Sequence, residues 1–143
     1  MKRGFALLAL MTLTACVSSP SIRFARPADF ALVMVDNPAQ KRFDLTLTSK
    51  GTESLCLSTE AWPGLASLPM GFDGATLVTS SGANELLPTG SAYCPGGCGE
   101  VRVASGLSVH GILRYSAFGD ESAIAKDSMR VLSFEVHPYI CSK

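Results

Sequence analysis

The residues of this chain best suited to chemistry are its five cysteines, which fall into two groups. Cys16 ends an apolar N-terminal stretch, whereas Cys56, Cys94, Cys98 and Cys141 are spread through the rest of the chain. Thiols can be acylated, paired as disulfides or used as thiolate ligands for soft metal ions. An even set of cysteines in an oxidising compartment is typical of disulfides, so the four distal cysteines predict two bridges.

Sequence alone allows three pairings of these four cysteines. We favour Cys94–Cys98 together with Cys56–Cys141, because Pro95-Gly96-Gly97 is a flexible turn that can bring its flanking cysteines together. A Cys56–Cys141 bridge would pin the C-terminal strand, and closing so long a loop stabilises by about 4 kcal/mol in the chain-entropy model. The pairing of Cys56 with Cys94 and of Cys98 with Cys141 stays open as the alternative.

The Cys94-Pro-Gly-Gly-Cys98 segment also permits a metal or redox function. It resembles the C-x-x-x-C segments of Sco-type copper chaperones and of binuclear copper sites in cupredoxin-like sandwiches, which also need a histidine ligand. Here residues 99–102 follow the second cysteine directly, and the spacing of His110 and His137 matches neither pattern. We therefore predict structural disulfides and no metal or other cofactor, and keep copper or thiol-redox handling as the alternative function.

The N-terminus has the layout of an export signal. Lys2 and Arg3 precede the apolar residues 5–13, a run too short for a good membrane-spanning helix. Leu13-Thr14-Ala15-Cys16 then resembles the lipobox of bacterial lipoproteins. The resemblance implies that residues 1–15 are a signal peptide, that Cys16 carries the lipid that attaches the protein to a membrane, and that residues 16–23 form a tether. Val17, in place of aspartate, implies the outer membrane and a periplasmic location.

Charge argues against nucleic-acid binding. The chain has 12 Lys+Arg and 12 Asp+Glu, so loss of Lys2 and Arg3 leaves 10 basic against 12 acidic residues. The remainder has no basic run that would attract a polyanion. Residues 24–143 are of the size of a single domain.

Alternating apolar and polar residues predict several half-buried strands. The pattern is clear in residues 43–48, in residues 107–116 with Leu107 and Val109 on the apolar face, and in residues 132–137. Residues 30–35 are continuously apolar and predict a central strand covered on both faces. Weaker candidates are residues 54–58, 75–80 and 100–104, and residues 81–84 are interpreted as a turn.

One short helix is predicted, with Asp120 capping residues 121–128. Many short strands separated by turns predict an all-β fold, an antiparallel β-sandwich that is immunoglobulin-like in broad architecture. A small closed barrel is the alternative.

Few other residues suggest chemistry. The two histidines, His110 and His137, are predicted on the polar faces of strands as solvated side chains, and no Gly-x-Ser-x-Gly elbow is present. Asp120-Glu121 fits a helix cap better than a calcium loop, which needs acidic residues at regular alternate positions. Trp62 and Pro63 are a possible partner-binding anchor, although a lone tryptophan in a small domain favours a place in the core. No catalytic residue is predicted.

The mature region also resembles a group of small bacterial lipoproteins without an established activity. The similarity rests on Arg42-Phe43-Asp44-Leu45, Leu55-Cys56, Trp62-Pro63, Tyr93-Cys94-Pro95-Gly96-Gly97-Cys98-Gly99 and Pro138-Tyr139-Ile140-Cys141. We therefore expect a non-enzymatic binding or structural module of the cell envelope, with an envelope protein as a possible partner. Inhibition of a cell-wall hydrolase is a third hypothesis, although we find no signature residues for it.

Overall fold

The computed structural model describes residues 22–64, 74–87 and 99–142 of the chain. The strands and the single α-helix of these residues are β1 Phe30–Asn37, β2 Arg42–Ser49, β3 Leu55–Ser58, β4 Ala75–Thr79, β5 Gly82–Glu85, β6 Glu100–Val103, β7 Ser108–Arg114, α1 Glu121–Lys126, β8 Val131–Phe134 and β9 Tyr139–Ile140. Short 3-10 helices occupy Pro27–Asp29, Pro38–Gln40, Thr59–Ala61 and Tyr115–Ala117.

The strands form three antiparallel sheets of three strands each, in the orders β1-β2-β7, β6-β3-β9 and β5-β4-β8. The predicted β-rich class with one short helix is confirmed. Side chains from all three sheets and from α1 meet in one hydrophobic core. Its most deeply buried members are Leu45, Leu47, Leu55, Leu57, Trp62, Leu77 and Tyr115.

Strand β2 shows how alternation creates the core. Phe43, Leu45 and Leu47 are buried, while the polar residues between them are only half-buried, as predicted. Strand β8 follows the same rule with Leu132 and Phe134 buried. Because successive side chains of a strand point to opposite faces, the sequence pattern converts directly into one buried and one solvated face.

The predicted apolar face of β7 is correct except at its first residue. Gly111, Leu113 and Tyr115 are buried, and Val109 is half-buried. Leu107 is 60% exposed, because it lies in the turn that precedes the strand, where Leu107 N–H donates to Ala104 O. The alternating pattern therefore begins one pair of residues later than predicted.

Strand β1 corrects the prediction of a central strand covered on both faces. It lies at the edge of its sheet and pairs only with β2 among the described residues. Phe30 and Leu32 pack partly against the core, whereas Val33 and Val35 are more than half exposed. A continuous apolar run thus occurs here in an edge strand.

The β4–β5 hairpin was not predicted. Residues 81–84 were interpreted as a turn, but the turn is at Ser80 and Ser81, and β5 begins at Gly82. Gly82 has φ +129°, a backbone conformation in which a residue with a side chain would be strained. The glycine therefore marks the start of the returning strand rather than the middle of a loop.

The predicted helix is present in a shorter form, Glu121–Lys126. Asp120 caps it as expected, since its Oδ1 accepts hydrogen bonds from the N–H groups of Ser122 at 2.8 Å and Ala123 at 3.3 Å. The helix ends where Arg130 Nη1 donates to the carbonyl oxygens of Ile124 and Ala125, both at 3.4 Å.

Candidate functional site

One concave surface of the described residues is an open, largely apolar groove of about 540 Å³ beside β1. We call it the edge groove. The residues lining it are Phe24, Ala25, Pro27, Phe30, Leu32, Phe134, Glu135, Val136, His137 and Pro138. An apolar concavity with few polar groups suits an apolar chain segment better than a charged ligand.

The N-terminal part of the described chain forms one wall of the edge groove. Residues 22–26 run antiparallel to β9: Phe24 forms a bridge with Tyr139, and Ala25 N–H donates to Pro138 O at 2.8 Å. Phe24 nevertheless remains 63% exposed, and its neighbour Ile22 is 67% exposed. This end of the domain therefore presents apolar side chains to solvent beside the groove.

Two ion pairs lie near the groove. Arg26 forms an ion pair with Asp29, and Arg23 forms one with Glu53. The hydrogen bond from the Arg26 side chain lowers the pKa of the Asp29 carboxyl below its usual value. Surface pairs of this kind add little stability, and the groove itself carries the Glu135 carboxylate, whose Oε2 lies 3.9 Å from His137 Nε2.

The structure joins Cys56 to Cys141, with Cα atoms 5.1 Å apart. This pairing, which the sequence favoured, ties the last strand to β3 and is incompatible with the alternative pairing. Next to the bridge, the Tyr139 hydroxyl donates to Glu100 Oε2 at 2.5 Å. This hydrogen bond, followed by burial, raises the pKa of Tyr139. Cys56 is fully buried, so the bridge has a structural role.

The remaining cysteine predictions fall outside the described residues. These are the lipidated Cys16 and the Cys94–Cys98 pair. Within the described ranges, no group of three or more His, Cys, Asp or Glu side chains is placed to hold a metal ion. His110, one of the two histidines weighed as a metal ligand, is exposed, and its Nδ1 lies 3.1 Å from Thr46 Oγ1.

Trp62 and Pro63 lie in the core, not on a binding surface. Trp62 is 1% exposed, its ring packs edge-on against Phe134 with centroids 5.9 Å apart, and its Nε1 donates to His110 O at 3.0 Å. Pro63 is buried as well. Neither side chain is accessible as a partner-binding anchor, so the core interpretation of this segment is correct.

Sequence analysis missed a part-buried polar cluster around the buried Tyr115 ring. The hydroxyl of Tyr115 donates to Asp36, and Arg130 Nε donates to the other carboxylate oxygen at 2.9 Å. The Arg130 guanidinium lies 5.5 Å from the centre of the Tyr115 ring. Burial, followed by the hydrogen bond to Asp36, raises the pKa of Tyr115 to about 12. The cluster joins β1, the segment after β7 and the segment before β8.

This cluster holds parts of the fold together. All three side chains are satisfied by one another, and Arg130 also bonds the carbonyl groups at the end of α1. No local sequence pattern predicts the cluster, because Tyr115 and Arg130 lie 79 and 94 residues from Asp36 along the chain. The one available signal was the presence of Asp36 at the end of an otherwise apolar run.

Comparisons with protein-family models, with curated proteins and with solved structures found no match for this chain. Among the described residues, no helix is both long and apolar enough to span a membrane.

Proposed function

We propose that this chain is a lipid-anchored, non-enzymatic binding module of the bacterial cell envelope, attached to the membrane through Cys16. It holds an apolar segment of an envelope component in the edge groove. The lipobox-like residues support the anchor, and the apolar lining of the edge groove carries the proposal of binding.

The position of the groove fits an anchored module. Only residues 17–21 lie between Cys16 and Ile22, and so short a segment reaches at most about 20 Å when fully extended. An anchor at Cys16 would therefore keep Ile22, Phe24 and the adjoining groove near the membrane surface. There the groove would meet membrane-associated partners with apolar segments.

The roles of the polar residues support a non-enzymatic function. Asp36, Tyr115 and Arg130 bind one another, and Asp120 caps a helix. The exposed His137 has its Nε2 3.9 Å from Glu135 Oε2. These groups stabilise the fold, and the contact of His110 Nδ1 with Thr46 Oγ1, at 3.1 Å, is exposed and lies outside the edge groove. We also infer that the three sheets, which share one core, pack as a β-sandwich of broadly immunoglobulin-like form. The location that we propose for this domain is the periplasmic side of the outer membrane.

A pair of experiments tests the anchor and the groove separately. Metabolic labelling with a radioactive fatty acid should label the full chain in a bacterial host, and a Cys16→Ser variant should lose the label. For the groove, a photo-crosslinking phenylalanine analogue at Phe24 should trap an envelope component, while the same analogue at the exposed Leu107, outside the groove, should not. Labelling that persists without Cys16 would refute the anchor, and equal trapping at both positions would refute the groove.

The alternative function is metal or thiol-redox handling by Cys94 and Cys98. The Cys56–Cys141 bridge leaves these two cysteines with each other as the remaining distal pair. Thiol alkylation with peptide mapping of the exported chain decides between the functions. A Cys94–Cys98 disulfide favours the structural interpretation, whereas thiols that are free, or protected until a chelator is added, favour metal handling.

A further inference from the structure

Strand β1 presents a long, apolar and unpaired edge. Its eight residues pair with β2 on one side, and no strand of the described ranges pairs with the other side. Residues 30–35 contain no charged side chain, no proline and no glycine. Natural sheet edges usually carry a lysine, another charged side chain, a proline or a bulge that prevents pairing with another chain. Residues 30–35 have none of these, and the first charge of β1, Asp36, is bound to Tyr115 and Arg130.

The register identifies the free backbone groups. Ser49 N–H donates to Leu107 O and Ser49 O accepts from Gly106 N–H, both at 3.0 Å, so the polar groups of Ser49 point away from β1. These directions alternate along a strand, and Ser49 is opposite Phe30. The N–H and C=O groups on the free edge of β1 are therefore those of Phe30, Leu32, Met34 and Asp36.

The opposite edge of the same sheet is treated differently. The outward-pointing carbonyl of His110 in β7 accepts a hydrogen bond from Trp62 Nε1. A Cβ atom added at Gly111 would lie 2.8 Å from Pro63 O, which shows how closely this segment covers the strand. The chain therefore protects the β7 edge with its own residues and leaves the β1 edge open among the described residues.

We propose that the free edge of β1 pairs with the β1 edge of a second copy of this chain. A two-fold axis at Val33 places Leu32 opposite Met34 of the second copy and Phe30 opposite its Asp36. These four hydrogen-bonded residue pairs exchange about eight hydrogen bonds, two for each pair. The edge ends at Pro38, which has no N–H, so a register shifted toward Pro38 leaves some of these groups unpaired.

The side chains support a second copy as the occupant. On the outer face, this register brings Val33 against Val33 of the second copy and Ala31 against its Val35. Val33 and Val35 are 53% and 54% exposed in the single chain, and no like charges face each other over residues 30–35. A strand edge offers less area than the roughly 800 Å² per partner of a standard interface, so we expect a readily exchanging dimer. This inference does not depend on the proposed lipid anchor. Because Phe30 and Leu32 belong to both surfaces, the second copy and a segment bound in the edge groove are alternative occupants of this end of β1.

Charge exchange at the axis tests the proposed register. Two copies of the full chain, with different affinity tags, are co-expressed, extracted in detergent and captured through one tag. Wild-type copies should capture each other. With two Val33→Lys copies, the amount of the second copy that is captured should fall at least tenfold, because two lysines meet at the axis. A Val33→Lys copy with a Val33→Glu copy should restore it. Ile112→Lys, on the same face but two strands away, should behave as wild type.

A second variant tests the backbone pairing itself. Met34→Pro removes a free-edge N–H without removing a bond to β2, so capture should fall while Met34→Leu leaves it unchanged. Folding of every variant is checked by the Cys56–Cys141 bridge and by Trp62 fluorescence. The proposal is overturned if folded wild-type copies do not capture each other, if Val33→Lys copies do so normally, or if the lysine–glutamate pair captures no better than two lysines.

Discussion

Replacing Tyr115 by phenylalanine should destabilise the fold in a way that depends on pH. The substitution keeps the fully buried ring and removes the hydroxyl that donates to Asp36. A hydrogen bond to a charged group contributes about 1.5–3 kcal/mol, and the Asp36 carboxylate keeps its bond from Arg130. We therefore expect the free energy of unfolding to fall by about 2 kcal/mol at pH 8.

Alkaline pH should reduce this difference. Burial and the Asp36 hydrogen bond raise the pKa of Tyr115 to about 12, whereas an unfolded tyrosine titrates near pH 10. Between these values the unfolded state has lost a proton that the folded state keeps, so the stability of the wild type falls as pH rises. The loss from Tyr115 is about 1.4 kcal/mol by pH 11, and the phenylalanine variant does not have it.

Urea unfolding at pH 8, 10 and 11, followed by circular dichroism, measures this change. Other titrating groups are common to both proteins and cancel in the difference. Tyr139→Phe is the matched control, because Tyr139 also donates to a carboxylate but is only half-buried. A difference at Tyr115 below about 0.5 kcal/mol at pH 8, or one that stays constant to pH 11, would refute the reasoning.

Three further changes test other parts of the fold. Replacing Cys56 and Cys141 together by serine should lower the free energy of unfolding by about 4 kcal/mol in urea titrations, and an unchanged midpoint would contradict a bridge in the native state. Gly111→Ala should lower the free energy of unfolding by about 1–3 kcal/mol, because the added Cβ lies 2.8 Å from Pro63 O and from Trp62 Nε1. A red shift in the fluorescence emission of Trp62 should accompany this loss. In Gly106→Ala the added Cβ meets nothing within 4 Å, so that variant measures the cost of a strained backbone without a steric clash. Asp120→Ala should cost about 1 kcal/mol through loss of the helix cap, with Asp120→Asn close to wild type in thermal unfolding.

Local patterns in the sequence predicted most of the strands and the helix. Phe43, Leu45 and Leu47 alternate with polar residues, and Asp120 precedes a short run of helix formers, so each segment contains its own signal. The Cys56–Cys141 pairing was the favoured one of three that the sequence allows, because a cysteine near the C-terminus can pin the final strand. These features depend on residue spacing within a segment or on a small number of possible pairs.

Contacts between distant segments were not predictable in the same way. Tyr115 and Arg130 meet at Asp36 only after the sheets are assembled, and neither residue type is unusual on a surface. The edge groove has the same origin, because residues near Phe24, Phe30 and Pro138 line it together. Its apolar residues gave no local sign that they would surround an open space.

The wrong prediction that β1 is a central strand has a physical explanation. An apolar run such as residues 30–35 is typical of a strand covered on both faces, and for that reason it was placed at the centre of a sheet. Within the described residues, the chain covers the inner face through Phe30 and Leu32 but leaves Val33 and Val35 exposed. Pairing of two β1 edges would put these valines beside apolar neighbours and satisfy the free backbone groups. Under that pairing, the composition of β1 would be that of an internal strand in a sheet shared by two copies of the chain.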